Sequence, residues 1–137
     1  MPYDPNNIFA KIIRGELPSV KVYEDAKTLA FMDIMPATEG HTLVIPKEQA
    51  ETIFDLSTEG ATDLIKTTKR VAEAVKVALE CPGVMLAQLN GKPAGQSVPH
   101  IHFHILPRSQ ANFSLHGRTM VDPRTLEPIA ARIRAAL

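Results

Sequence analysis

Several residue types are scarce in this chain of 137 residues. It contains one cysteine, no tryptophan, five phenylalanines and two tyrosines. The lone Cys81 cannot form an internal disulfide, which excludes a disulfide-stabilised scaffold and predicts a reducing compartment, the cytoplasm. The N-terminal residues also lack the basic start and the apolar stretch of a signal peptide, which agrees with the same expectation.

An excess of charge of one sign is missing as well. Lysine and arginine together number 15, as do aspartate and glutamate, so the formal net charge is zero. The basic surplus typical of proteins that bind nucleic acid or membrane surfaces is absent, and we expect neither partner. No apolar run approaches the roughly 20 residues that a membrane-spanning helix needs. The length predicts one domain with a core of its own.

The apolar pattern predicts five strands and three helices. The strands are expected at 20–23, 29–32, 41–46, 84–89 and 98–106. The helices are expected at 7–14 with Gly15 as its C-cap, after the N-cap Ser57 as far as residue 79, and from Pro123 after the N-cap Asp122. This order predicts a single α+β domain, an antiparallel sheet of about five strands with packed helices. The apolar stripe of the long helix suits either a core or an interface.

Three histidines alternate with apolar residues near the end of the chain. His100, His102 and His104 would share one face of a strand, because successive strand side chains point to opposite faces. Their ring nitrogens could then act together on one small charged group.

Two chemical interpretations of this histidine row remain open. Histidines at this spacing can bind zinc, although the chain has no second cysteine and no carboxylate stands close to them in sequence. Alternatively, one neutral imidazole attacks a phosphorus atom while its neighbours orient it and bind phosphate oxygens. The preceding Gly95-Gln96-Ser97 favours the second interpretation, because glycine admits a close ligand and the Ser97 hydroxyl can bind an anionic oxygen.

Four ordered segments resemble the histidine-triad family. Residues 99–108 resemble its signature of three histidines separated by apolar residues. Residues 8–18, 31–34 and 40–47 resemble its other blocks, in the expected order. The resemblance implies the fold of that family, a catalytic domain over 6–108, and a C-terminal extension over 109–137 that belongs to the same unit and contains a helix. It also implies a homodimer.

The resemblance also implies an activity. Family members hydrolyse or transfer nucleotides at the α-phosphate through a covalent nucleotidyl-histidine intermediate, with no cofactor and no catalytic metal. Carried over by position, His102 is the nucleophile. His104 and His100 would contact the phosphate and orient that nucleophile. Ser97 and Asn90 would bind the phosphate or the leaving group.

The same resemblance implies how a purine nucleotide is bound. Asp33 would take the ribose hydroxyls. An apolar slot for the base would be formed by Ile8, Phe9, Ile12, Phe31, Ile34 and Leu43, and three further nucleotide-binding residues are predicted at His41, Gln96 and Val98.

The substrate type is left between two branches of the family. Asp33 and residues 95–98 resemble the Hint-like phosphoramidase branch, whereas residues 104–108 resemble the Fhit-like branch that cleaves dinucleoside polyphosphates. Bacterial relatives often carry a zinc-binding Cys-x-x-Cys where this chain has Asn7 and Ala10, so we expect no zinc there. A purine nucleoside phosphoramidase is the first prediction, and a dinucleoside polyphosphate hydrolase or a non-catalytic nucleotide-binding protein are the alternatives.

Overall fold

A five-stranded antiparallel sheet forms the centre of the protein in a computed structural model that describes residues 2–137. The strand order is β1-β2-β3-β5-β4, and every neighbouring pair is antiparallel. The strands are β1 (Lys21–Glu24), β2 (Thr28–Met32), β3 (Thr42–Pro46), β4 (Gly83–Gln88) and β5 (Phe103–Arg108). The helices are α1 (Ile8–Ile13), α2 (Thr58–Leu79) and α3 (Pro123–Ala135), with a short 3₁₀ helix at Lys92–Ala94. The predicted α+β class and antiparallel sheet are confirmed.

Helix α2 packs its apolar stripe on one face of the sheet. The Ser57 hydroxyl accepts a hydrogen bond from the Gly60 amide, so the predicted N-cap is confirmed. Leu64, Val71 and Val75 are buried and belong to the same core cluster as residues of β2, β3, β5 and α3. The stripe therefore serves mainly as core, and this resolves the choice that the sequence left open.

The short helix α1 lies against the opposite face. The Asn7 side chain caps it by accepting from the Ala10 amide, and Gly15 follows with a φ of 79°. Phe9 packs there with Phe31 and Leu43 in a second apolar cluster. Both faces of β2 and β3 are thus covered, which explains why these two strands are buried throughout.

Strand β5 starts later than the sequence predicts. It begins at Phe103, not at residue 98, because the preceding backbone finds partners outside the sheet. The Ile101 amide donates to the Ala50 carbonyl, and the His100 carbonyl accepts a hydrogen bond from the His102 side chain. The alternation of strand side chains therefore predicts the face on which His104 lies, because His104 is within β5. It does not predict the position of His100, which precedes the strand.

The strand register positions His104. Its Cα partner on β3 is Leu43, and side chains of directly paired residues share a face. His104 therefore lies on the α1 face, in the neighbourhood of Phe9 and Phe31.

Helix α3 begins where the sequence predicts, with Asp122 as N-cap and Pro123 in its first turn. Leu126, Ala130 and Ile133 bury it against α2 and the sheet. Over residues 2–137, every helix is too short or too polar to cross a bilayer.

Candidate active site

A pocket of about 440 Å³ lies between α1, the strand face next to it and the C-terminal segment. That volume falls within the range of about 300–1,000 Å³ typical of small-molecule sites. Its apolar wall contains the seven apolar residues that the sequence predicts for nucleotide binding, Ile8, Phe9, Ile12, Phe31, Ile34, Leu43 and Val98. Other lining residues are not among the predicted site residues, namely Pro18, Ser19, Val20, Met32, Met35, Gly117, Pro123 and Leu126.

Polar side chains gather at one part of the pocket. Asp33, Ser97, His102, His104 and His116 line it. The ring centroids of His102 and His104 are 4.9 Å apart, and those of His104 and His116 are 5.7 Å apart. Ser97 is exposed at the rim. The structure thus brings four predicted polar residues together and adds His116.

The backbone fixes the tautomer of His102. Its Nδ1 lies 2.7 Å from the His100 carbonyl oxygen, which can only accept, so Nδ1 carries the proton. A neutral His102 therefore has its lone pair on Nε2. The ring is also held edge-on to Phe9 with a centroid distance of 5.0 Å, which limits its rotation.

A chain of hydrogen bonds fixes the tautomer of His104. The Ala37 amide donates to Nδ1 of His41 over 3.0 Å, so a neutral His41 carries its proton on Nε2. That proton is donated to Nδ1 of His104, 2.9 Å away, which leaves the His104 proton on Nε2. Within residues 2–137 the buried Nε2 of His104 has no hydrogen-bond partner. His104 therefore offers an unpaired donor that suits an anionic oxygen.

Burial keeps these imidazoles neutral. Removal from water lowers the pKa of His102 and of His41 to about 4, and that of His104 to about 3. Burial also lowers the pKa of His100. At neutral pH the site therefore combines a nitrogen lone pair on His102 with an N–H donor on His104.

Asp33 stands between the apolar and polar parts of the lining. Its Oδ1 accepts from the Met35 amide over 2.8 Å, and its Oδ2 is 3.4 Å from Nε2 of His41. Burial raises the pKa of this carboxyl group. The ligand atoms of Asp33, His41 and His104 lie within 4.8 Å of one another, so these residues could hold a metal ion. Such an ion would have to replace the hydrogen bond between the two histidines.

His100 does not line the pocket, which corrects its predicted contact with phosphate. Nδ1 of this fully buried ring pairs with the Tyr3 hydroxyl at 2.6 Å, and Nε2 with the Pro46 carbonyl at 2.8 Å. Both ring nitrogens are thus occupied. His100 acts on His102 through its backbone carbonyl, and Tyr3 is a supporting residue that the sequence does not reveal.

Asn90, Gln96 and His41 also lie outside the lining, and their predicted contacts with a nucleotide stay predictions. The Asn90 side chain pairs with the Gln88 side chain and accepts from the Ile53 amide. Gln96 accepts from the Gly91 amide and donates to two carbonyl groups, which holds the loop before the histidines. His41 stands behind His104. His41 and Gln96 thus support the site from outside its lining.

The comparisons with known proteins agree with the fold and with the predicted family. The HIT domain model matches residues 14–111, and the chain belongs to the HIT family. It is 47% identical over 137 residues to Protein hit of Bacillus subtilis, covering 96% of this chain and 94% of that protein. It is 42% identical over 108 residues to the adenosine 5′-monophosphoramidase of Schizosaccharomyces pombe, covering 79% of this chain and 78% of that protein. The family predicted from the sequence is therefore confirmed.

A solved structure supports the same assignment. The crystal structure of a Hit-like protein from Bartonella henselae, described as involved in cell-cycle regulation, superposes with a TM-score of 0.94. The two chains are 46% identical, and the match covers 100% of each.

The buried histidines predict a loss of stability on mild acidification. Their folded-state pKa values lie below the unfolded value of about 6.5, so the unfolded chain binds protons first as the pH falls. The free energy of unfolding should decrease by about 1.4 kcal/mol per pH unit for each such histidine below that pH. Urea unfolding between pH 7.5 and 5.5 measures this above the ordinary carboxyl range. A free energy of unfolding that stays constant over this interval would contradict the account.

Proposed function

We propose that this protein is a nucleotide hydrolase that acts on the α-phosphate of a nucleoside monophosphate unit through a nucleotidyl-His102 intermediate. The observation that carries the proposal is that His102 offers a lone pair on Nε2 beside a His104 N–H that has no hydrogen-bond partner within residues 2–137. The first choice of substrate is a purine nucleoside 5′-phosphoramidate. The relative from S. pombe, described as an adenosine 5′-monophosphoramidase, supports that choice.

The two parts of the pocket suit the two parts of such a substrate. The apolar wall that includes Phe9, Phe31 and Leu43 would bury a purine base, and Asp33 would accept hydrogen bonds from the ribose hydroxyls. The α-phosphate would then lie near His102 and His104, with the Ser97 hydroxyl at the rim.

The reaction proceeds in two displacements. In the first, the lone pair of His102 Nε2 bonds to phosphorus while the P–N bond breaks, and its electron pair stays on the departing amine, which takes up a proton. The His104 N–H donates to a phosphoryl oxygen as negative charge develops there. In the second, a water oxygen bonds to phosphorus and gives up one proton to solvent, while the bond to Nε2 breaks and its electron pair returns to His102. The products are a nucleoside 5′-monophosphate and an amine.

The neutral state of His102 favours this route. Imidazole attacks through a lone pair, and burial holds the pKa of His102 near 4, so the lone pair is available at neutral pH.

The proposal requires no metal or cofactor. If the zinc hypothesis is correct instead, elemental analysis of purified protein will find stoichiometric zinc. A cytoplasmic location stays a proposal that rests on the single cysteine.

A comparison of substrates distinguishes the alternatives. We expect kcat/KM for an adenosine 5′-phosphoramidate to exceed that for a dinucleoside polyphosphate. A tenfold preference for the dinucleotide, about 1.4 kcal/mol in transition-state binding, would favour the alternative hydrolase. Binding of AMP without turnover of either compound would favour a non-catalytic nucleotide-binding protein.

His102→Ala should abolish most of the activity. Without the Nε2 lone pair no covalent intermediate forms, and kcat should fall by at least about 10³-fold. AMP binding should change little, because the apolar wall and Asp33 remain. Steady-state kinetics and calorimetric titration with AMP measure the two effects separately.

His102→Gly provides the matched control, because added imidazole can occupy the vacated space and restore part of the turnover. Mass spectrometry of wild-type protein during turnover should locate one nucleotidyl group on His102. The assignment fails if His102→Ala keeps near wild-type kcat, or if the adduct lies on His100 or His104.

We also propose a homodimer formed through the edge strand β4. Among residues 2–137 this strand pairs only with β5, and Leu86 on it is 44% exposed. An exposed edge strand can pair with the same strand of a second copy. Sedimentation at micromolar concentration should give twice the 15.0 kDa mass of one chain. Leu86→Lys should shift the mass toward one chain, whereas Ile65→Lys, on the exposed side of α2, should not. A species of one chain in the wild type would exclude the dimer.

A further inference from the structure

The pocket crosses the sheet from the histidines toward strand β1, and the strand register gives its direction. His104 on β5 pairs with Leu43 on β3, Leu43 pairs with Phe31 on β2, and Phe31 pairs with Lys21 on β1. Directly paired residues share a face, so these four residues form one row on the α1 face. Neighbouring strands are about 4.8 Å apart, so the β1 end of the row lies about 14 Å from His104.

Ser19 lines the pocket at this far end. It follows Pro18, whose ring fixes its own φ, and it precedes Val20, whose carbonyl accepts a hydrogen bond from the Met32 amide of β2 over 2.9 Å. Pro18, Ser19 and Val20 all belong to the lining. The segment that leads into β1 is therefore held against β2, which keeps Ser19 at the end of the pocket away from the histidines.

The Ser19 hydroxyl is a buried polar group without a partner. Within residues 2–137 its Oγ is shielded from water and makes no hydrogen bond. Such groups are rare, because burying a hydroxyl without a hydrogen bond costs free energy. The side chains of Pro18 and Val20 beside it are apolar, so we expect its partner to belong to the molecule that occupies the pocket. A hydroxyl rotates and can either donate to that molecule or accept from it.

We propose that Ser19 recognises the purine base, an inference that rests on the proposed function. With the phosphate at the histidine end and the ribose near Asp33, the base lies over Leu43 and Phe31, and its far edge is directed toward β1. The two fused rings of a purine extend further in that direction than the single ring of a pyrimidine. A purine therefore satisfies the Ser19 hydroxyl, whereas a pyrimidine leaves it unpaired and is disfavoured.

Ser19→Ala tests the proposal in the full-length protein, with AMP and CMP as the two ligands. Loss of the hydroxyl should weaken AMP binding about three- to tenfold, the range for one neutral hydrogen bond, and CMP binding by less than about twofold. For an adenosine 5′-phosphoramidate, KM should rise by the same factor as for AMP binding. The kcat should change by less than about twofold, because the lost contact is equally strong in the ground state and the transition state. Calorimetric titration and steady-state kinetics measure these effects.

Thermal unfolding of the free variant distinguishes recognition from a structural role. Ser19→Ala removes a hydroxyl whose burial is not compensated, so its Tm without ligand should equal or exceed that of the wild type. A hydroxyl that stabilised the fold would instead lower the Tm when removed. Ser109→Ala, a change at an exposed serine outside the lining, is the matched control and should leave the Tm and both affinities unchanged.

The outcomes separate the two proposals. Unchanged AMP binding in Ser19→Ala, an equal loss for AMP and CMP, or a lower Tm of the free variant overturns the role of Ser19 while the proposed function stands. If the wild type binds AMP but does not turn over the phosphoramidate, the proposed function is overturned, and the two titrations still decide the role of Ser19. A wild type that does not bind AMP overturns both.

Discussion

The site depends on backbone groups that decide where the protons of buried imidazoles reside. The His100 carbonyl places the His102 proton on Nδ1, and the Ala37 amide acts through His41 to place the His104 proton on Nε2. Burial then disfavours the charged forms, so a nucleophilic nitrogen and a donor nitrogen coexist side by side. A histidine exposed to water would have neither property reliably, because its ring exchanges freely between the two tautomers.

The irregular backbone before β5 is part of this arrangement. If residue 100 continued the strand, its carbonyl would face a neighbouring strand and pair there instead of being directed at the His102 side chain. Instead, the Ile101 amide donates to the Ala50 carbonyl, and the His100 ring is hydrogen-bonded to the Tyr3 hydroxyl and the Pro46 carbonyl. The late start of the strand thus has a function: it releases one carbonyl group to orient the proposed nucleophile.

The sequence predicts some of this and not the rest, for physical reasons. The fold class, the caps Ser57 and Asp122, and the apolar wall of the pocket follow from local periodicity, capping chemistry and family resemblance. The hydrogen bonds of the His100 side chain cannot be predicted in this way, because its partners Tyr3 and Pro46 are distant in sequence. His116 is hidden for the same reason, since no local pattern indicates that an exposed loop returns to the pocket.

Nitrogen NMR of the histidine side chains tests the central claim most directly. In uniformly ¹⁵N-labelled protein at pH 7, with resonances assigned by single substitutions, His102 should carry a proton on Nδ1 alone and His104 on Nε2 alone. Both patterns should persist down to about pH 5, because burial keeps the pKa of His102 near 4 and that of His104 near 3. Doubly protonated rings or exchange-averaged tautomers at pH 7 would contradict the account.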